Sequence, residues 1–168
     1  IYPLPWKWYT EQAVRKYGFH GISYQYLLTR GSQILKTPPQ QMNGIICHLG
    51  NGSSISAIKE GVGFDTTMGI TPLAGLMMGT RCGDVDPSVF QYMHQQTGWT
   101  VNQITQQLNI QSGFLGVSGV SSDLKDVEKA YLQGHQQATL AIDLFVKRIV
   151  DYIAVYFNAL DAKLDYLV

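Results

Sequence analysis

Three short segments carry residue types that could do chemistry. Gly50-Asn51-Gly52-Ser53-Ser54 sets small residues and two hydroxyls directly after His48-Leu49. Small residues let backbone N–H groups converge on an anion, so this turn suits phosphate oxygens. Asn-Gly between two apolar runs is equally the signature of a plain type I′ hairpin turn. No GxxxxGK(S/T) run occurs in the chain, which excludes a Walker loop. Arg81 stands in Gly79-Thr80-Arg81-Cys82-Gly83-Asp84, the single Lys or Arg between Lys59 and Lys125. A guanidinium there can stabilise the equatorial oxygens of a phosphoryl group in transit, or it can form a structural ion pair with Asp84 or Asp86. His20, in Tyr17-Gly18-Phe19-His20-Gly21, is an imidazole that backbone can approach closely. It can donate to the same developing charge or sit as a satisfied core histidine.

Other constellations are weaker. Cys47 and His48 share an expected strand, where neighbouring side chains face opposite ways, so they cannot pair as a thiolate–imidazole nucleophile. His20, His48, His94 and His135 show no ligand-type spacing, and no metal site is expected from them. Asp123, after Ser121-Ser122, is a helix cap or a polar ligand contact at a helix start.

The elements that must position these residues can be read from punctuation and period. Ile1–Pro5 reads as an extended connector, because each proline turns its predecessor away from helix. Ser23 is expected to cap a helix running to about Leu35, before Pro38-Pro39. Strands are expected near Ile45–Cys47, Ile55–Ile58 and Val62–Thr67, three consecutive antiparallel strands with Asn51-Gly52 in the first turn. Gly69 to Gly83 has no period and reads as ordered loop. Asp86-Pro87 starts a helix through Met93, Thr100 starts another, and Ser121-Ser122-Asp123 precedes a third that ends near Gly134. The longest helix, about Gln136 to Leu160, is apolar all round and expected to be buried on most sides. Leu164 to Val168 reads as a strand that stops where the sequence stops, and with no initiator Met the chain is expected to be a piece of a longer one.

Composition narrows the class. The 168 residues suffice for one ordinary core. Charged residues are 14% of the chain and balance to zero, so neither nucleic acid nor an acidic membrane surface is an expected partner and any anion site is local. Low charge with ten tyrosines suggests a surface that faces another domain or subunit. Two cysteines without a framework fit a reducing compartment, the cytoplasm, and neither a transmembrane span nor an export signal is visible.

Taken together the segments resemble the acetate kinase family nearly end to end. The resemblance rests on Tyr-Gly-Phe-His-Gly at 17–21, Cys-His-Leu-Gly-Asn-Gly-Ser-Ser at 47–54, Asp-Thr-Thr-Met-Gly at 65–69, Thr-Pro-Leu at 71–73, Gly-Leu-Met-Met-Gly-Thr-Arg-Cys-Gly-Asp at 75–84 and Ser-Ser-Asp at 121–123. It implies a mixed α/β fold, the ribonuclease-H-like domain of the actin-like ATPase and sugar kinase superfamily. Residues 1–40 would lead into that domain, and 41–168 would form its nucleotide side, truncated at the C-terminus. It implies phosphoryl transfer between ATP and acetate, giving ADP and acetyl phosphate, by a cytoplasmic homodimer. Propionate kinase and a non-catalytic folding or dimerisation module are the alternatives. By the resemblance, His20 and Arg81 stabilise the transition state, and His48, Leu49, Gly50, Asn51, Gly52, Asp123, Leu124 and Lys125 line the nucleotide. Mg2+ would be held by groups outside the chain, as would the adenine, so the piece alone is expected to be inactive. Three positions depart from the family pattern: Lys125 for arginine, which loses the stacking plane and fork, Tyr24 for a second histidine, and Ala74 for glutamate.

Overall fold

The computed structural model describes residues 1–168. A single sheet of four strands runs in the order β3-β2-β1-β4, with β1 at Gly44–Leu49, β2 at Ser53–Lys59, β3 at Val62–Thr66 and β4 at Tyr166–Leu167. Only antiparallel partners can be joined by a link as short as Gly50–Gly52, so β1 and β2 form the hairpin that Asn51-Gly52 announces. β2 pairs antiparallel with β3, with an irregularity between Ala57 and Ile58. β4 pairs parallel with β1, Gly44 opposite Tyr166. The expected strands are therefore present, each end within two residues of the expected one.

The chain divides into two units: the first holds Ile1–Leu49, Ser54–Pro72 and Val150–Val168, the second Gly50–Ser53 and Leu73–Ile149. In the first, β2 is buried from Ser54 to Ile58 without alternation. Its small Ser and Ala residues allow both faces to be covered, which a period-2 reading cannot register. Ile46 and Ile58 pack with Tyr24 of helix α2 (Gly21–Leu35), flanked by Leu27, Leu28 and Tyr166. Helix α1, Trp6–Gln12, begins directly after the Pro5 N-cap. Its seven residues are too few to show an apolar stripe, so no helical period marks it in the sequence.

The second unit is helical: α3 Ser88–Thr97, α4 Val101–Ile110, α5 Gly113–Ser118, α6 Leu124–Leu132 and the start of α7, Gln136–Ala159. Asp86 Oδ1 accepts from the Ser88 amide at 2.8 Å, so α3 starts one residue after Pro87 and runs on to Thr97, past the expected Met93. Thr100 and Gln103 form a complete capping box on α4. The core gathers Met77, Phe114, Val127, Ala138, Ala141 and Phe145. α7 ends within a residue of its expected bounds but is not buried on most sides: Leu140, Leu144, Val146, Val150, Val155 and Phe157 are 42–58% exposed. Apolar residues all round a helix show that every side can be covered; this chain covers only the sides bearing Ala138, Ala141 and Phe145, then Tyr156 and Leu160.

Candidate functional site

In the first unit His20 is the residue before α2, with left-handed backbone (φ 64°) and no side-chain cap. Histidine tolerates this region better than most residues, at a cost of order ~1 kcal/mol. Its ring is held on two sides: it stacks on His48 with centroids 3.9 Å apart and planes 14° from parallel, and Nδ1 lies 2.6 Å from Ser54 Oγ. Tyr24, one helical turn on, hydrogen-bonds the same Ser54 oxygen. Ser23 does not cap α2 as expected. It sits inside the first turn and its Oγ is 3.1 Å from His48 Nδ1, because the helix has already begun at Gly21. β1 and the start of α2 thus bring His20 and His48 together, each with its own serine. Leu49 ends β1, half exposed. Phe19 and Tyr24 line a cavity of about 560 Å³ that also presents the Lys16–Asp65 ion pair (2.7 Å).

In the second unit three sequence-distant segments meet at Gly79. A Cβ built there would lie 2.5 Å from Asn51 Oδ1 and 2.9 Å from the Ser122 carbonyl, so only glycine allows this approach. The hairpin turn of Gly50, Asn51 and Gly52, the loop before Arg81 and the residue before Asp123 are therefore in contact. The turn is closed internally, Ser53 Oγ donating to the Gly50 carbonyl at 2.8 Å. Asp123 caps α6 by accepting from the Lys125 amide at 2.9 Å, and Leu124 and Lys125 are exposed on its first turn.

The loop carrying Arg81 has no period yet is firmly held. Amides of Ser112, Phe114 and Leu115 donate to the carbonyls of Thr80, Met78 and Gly79 at 2.9, 2.9 and 3.0 Å. The Cys82 amide donates to Leu108 O at 3.0 Å and Thr80 Oγ1 to Asn109 O at 2.9 Å. Gly113 (φ 63°) is required at the junction, since any side chain would collide with the Met78 carbonyl. Arg81 itself is half-buried, with Nη1 3.5 Å from Met78 Sδ. Of the aspartates considered as its structural partners, Asp84 accepts from the Gly75 amide (2.8 Å) and Asp86 from Ser88.

Electrostatics argue against thiol chemistry. Burial pushes both the Cys47 and Cys82 thiols up, the opposite of what a nucleophilic thiolate needs. Burial likewise raises the Tyr24 phenol, against the lowering effect of its hydrogen bonds to Ser54 and Thr66. No group of three or more His, Cys, Asp or Glu side chains is placed to hold a metal ion.

The sequence names Ser54 as one of two hydroxyls after the turn and Gly79 as the start of the Arg81 run, but not what either touches, and it marks neither Gly113 nor the true role of Ser23. A buried serine in a strand carries no mark of what it binds; Gly79 stands in a run already singled out and Gly113 in none, and the contacts of both lie far away in sequence.

The acetokinase family model matches residues 1–168. The chain is 52% identical over 161 residues to an acetate kinase of Mycoplasma mycoides subsp. mycoides SC, covering 96% of this chain and 41% of that protein. It is 50% identical over 168 residues to an acetate kinase of Mesoplasma florum, covering 100% and 42%. Among solved structures, Porphyromonas gingivalis acetate kinase superposes with a TM-score of 0.95 at 43% identity, and a propionate kinase from Francisella tularensis subsp. tularensis SCHU S4 with 0.94 at 43%. Each comparison covers 99% of this chain and 42% of the solved one. The chain therefore spans about two fifths of the length of the relatives it matches.

Proposed function

Since the chain belongs to the acetokinase family, we propose that it forms part of an acetate kinase, catalysing reversible phosphoryl transfer between ATP and acetate to give ADP and acetyl phosphate. Residues 41–168 are read as its ribonuclease-H-like nucleotide-side domain, with 1–40 leading in. The observation that carries this reading is the meeting at Gly79 of the Asn51 turn, the Arg81 loop and the α6 start. Three segments assigned to one phosphate-handling task are in contact although they lie far apart in the sequence.

Phosphoryl transfer asks for positioning and charge stabilisation, with little covalent chemistry from the protein. His48 to Gly52 and Asp123 to Lys125 are assigned to the nucleotide, the latter at the positive end of a helix. Arg81 offers a planar fork to the equatorial oxygens, on a loop whose carbonyls are already bound and so cannot drift. His20, assigned by the family resemblance to transition-state stabilisation, offers a ring N–H whose orientation is set by the His48 stack. Magnesium, implied by the family, would neutralise phosphate charge when bound; the residues here form no ligand cluster for it, and its ligands are assigned elsewhere. A cytoplasmic homodimer acting on small molecules completes the reading; no helix is long and apolar enough to cross a membrane.

The solved acetate kinase of Porphyromonas gingivalis and the solved propionate kinase of Francisella tularensis are each 43% identical to this chain, so the test uses both acids. The natural-length protein is assayed for ADP release and acyl phosphate, trapped as hydroxamate. Turnover preferring acetate is expected. Preference for propionate reassigns the acceptor, and folded protein without turnover on either acid returns the chain to a non-catalytic module.

A further inference from the structure

His20 and Tyr24 are four residues apart and so lie on one side of the start of α2. Their side chains reach the same atom, Ser54 Oγ, from a residue that is completely buried on β2. A serine hydroxyl has one hydrogen and therefore donates to only one of them. We infer that Tyr24 donates to Ser54 and Ser54 donates to His20 Nδ1, so that the two hydroxyls act as positioning residues holding neutral His20 as the Nε2–H tautomer. The inference rests on the reading of His20 as a charge-stabilising group.

The order follows from chemistry. A phenol is a stronger acid, and so a stronger donor, than an alkyl hydroxyl, and an imidazole nitrogen is a stronger acceptor than a phenol oxygen. The chain Tyr24 to Ser54 to His20 matches strong donors with strong acceptors, and each bond polarises the next. Burial keeps the phenol protonated and available as donor. The reverse order would have Tyr24 donate to Thr66, whose own hydroxyl is directed at the Ile55 carbonyl (3.3 Å), and Ser54 donate to Tyr24. That order puts the hydrogen on Nδ1 and leaves Nε2 a lone pair, which repels an anionic oxygen. The proposed order leaves Nε2–H as a donor at every pH where the ring is neutral. The two serines have different tasks: Ser23 meets His48, and Ser54 alone connects His20 to a second hydroxyl.

The test is a long-range ¹H–¹⁵N spectrum of the natural-length protein labelled at histidine, at about pH 8.5, two units above the usual imidazole value. There are four histidines, and His20→Gln assigns the signal. Wild type should show His20 with hydrogen on Nε2 only. Tyr24→Phe, nearly isosteric, should make an Nδ1–H population detectable, and Ser54→Ala should do the same. In turnover both variants should lose about tenfold in kcat, the worth of one net hydrogen bond, with the KM for ATP unchanged. Hydrogen on Nδ1 in wild type overturns the inference, as does a His20 tautomer unmoved in Tyr24→Phe. If instead the tautomers shift as expected but His20→Gln leaves kcat intact, the relay stands and the catalytic reading of His20 falls.

Discussion

Gly79→Ala is the most informative single substitution, because its effect can be worked from distances. Carbon and oxygen rest comfortably at about 3.3 Å. An alanine Cβ at 2.5 Å from Asn51 Oδ1 and 2.9 Å from Ser122 O thus overlaps by about 0.8 and 0.4 Å. Asn51 is exposed and can swing away, whereas the Ser122 carbonyl is backbone leading into the α6 cap and must be pushed bodily. Overpacking of this kind costs roughly 1–3 kcal/mol, offset by about 0.4–1 kcal/mol from the stiffer unfolded chain. A net loss of about 1–2 kcal/mol lowers Tm by about 2–8 °C for a domain of this size. The displaced Asn51 should also raise the KM for ATP about tenfold, the loss of one hydrogen bond to a charged group. Thermal unfolding and steady-state kinetics read the two effects. The decisive control is the cycle with Asn51→Ala, since removing the amide removes the larger overlap. Gly79→Ala should cost less in that background, with a coupling of at least ~0.5 kcal/mol. Strict additivity together with an unchanged KM would refute the idea that Gly79 exists to admit Asn51.

Arg81→Ala should lower kcat by about 10²–10³ with little change in KM for ATP, the loss expected for one preorganised charge donor; a folded variant with unchanged kcat returns Arg81 to a structural ion pair. His20→Ala should behave likewise but more mildly, since an imidazole contributes less than a guanidinium to an anionic transition state; circular dichroism alongside the kinetics separates this from loss by melting. Burial, aided by Asp165, pushes the Tyr166 phenol up to about 12, and its hydroxyl has no hydrogen-bond partner. Unfolded tyrosine loses its proton near ~10 while the folded one keeps it, so stability falls as pH rises from about 10 to 12. Tyr166→Phe should flatten that fall in urea midpoints and cost nothing at neutral pH; an equally steep alkaline loss would show that other groups, such as the likewise raised Tyr156, carry it.

The parts of this molecule legible in advance share one property: their signals are local. Asn51-Gly52 marks its hairpin, Thr100 and Gln103 their capping box, and the 3.6-residue period of α7 its length, each within a few positions. α1 and α5 escaped because seven and six residues hold too little period to register. The candidate site escaped in a more telling way. Its residues could be named by type, but their partners could not: His20 finds Ser54 across 34 positions, Tyr24 the same serine across 30, and His48 finds Ser23 across 25. Ser23 has the signature of a cap, because that is what a serine near a helix start does when only its neighbours are considered. The fold replaces that local bond with a non-local one, once the helix begins at Gly21 and turns the serine toward β1. Gly79 and Gly113 make the same point from the other side. What makes them necessary is a carbonyl or an amide from a distant segment, so their meaning lies entirely in the approach they permit. A hydroxyl and a glycine carry little mark of their partners in a sequence, and here they hold one nitrogen of the His20 ring and the loop that carries the guanidinium.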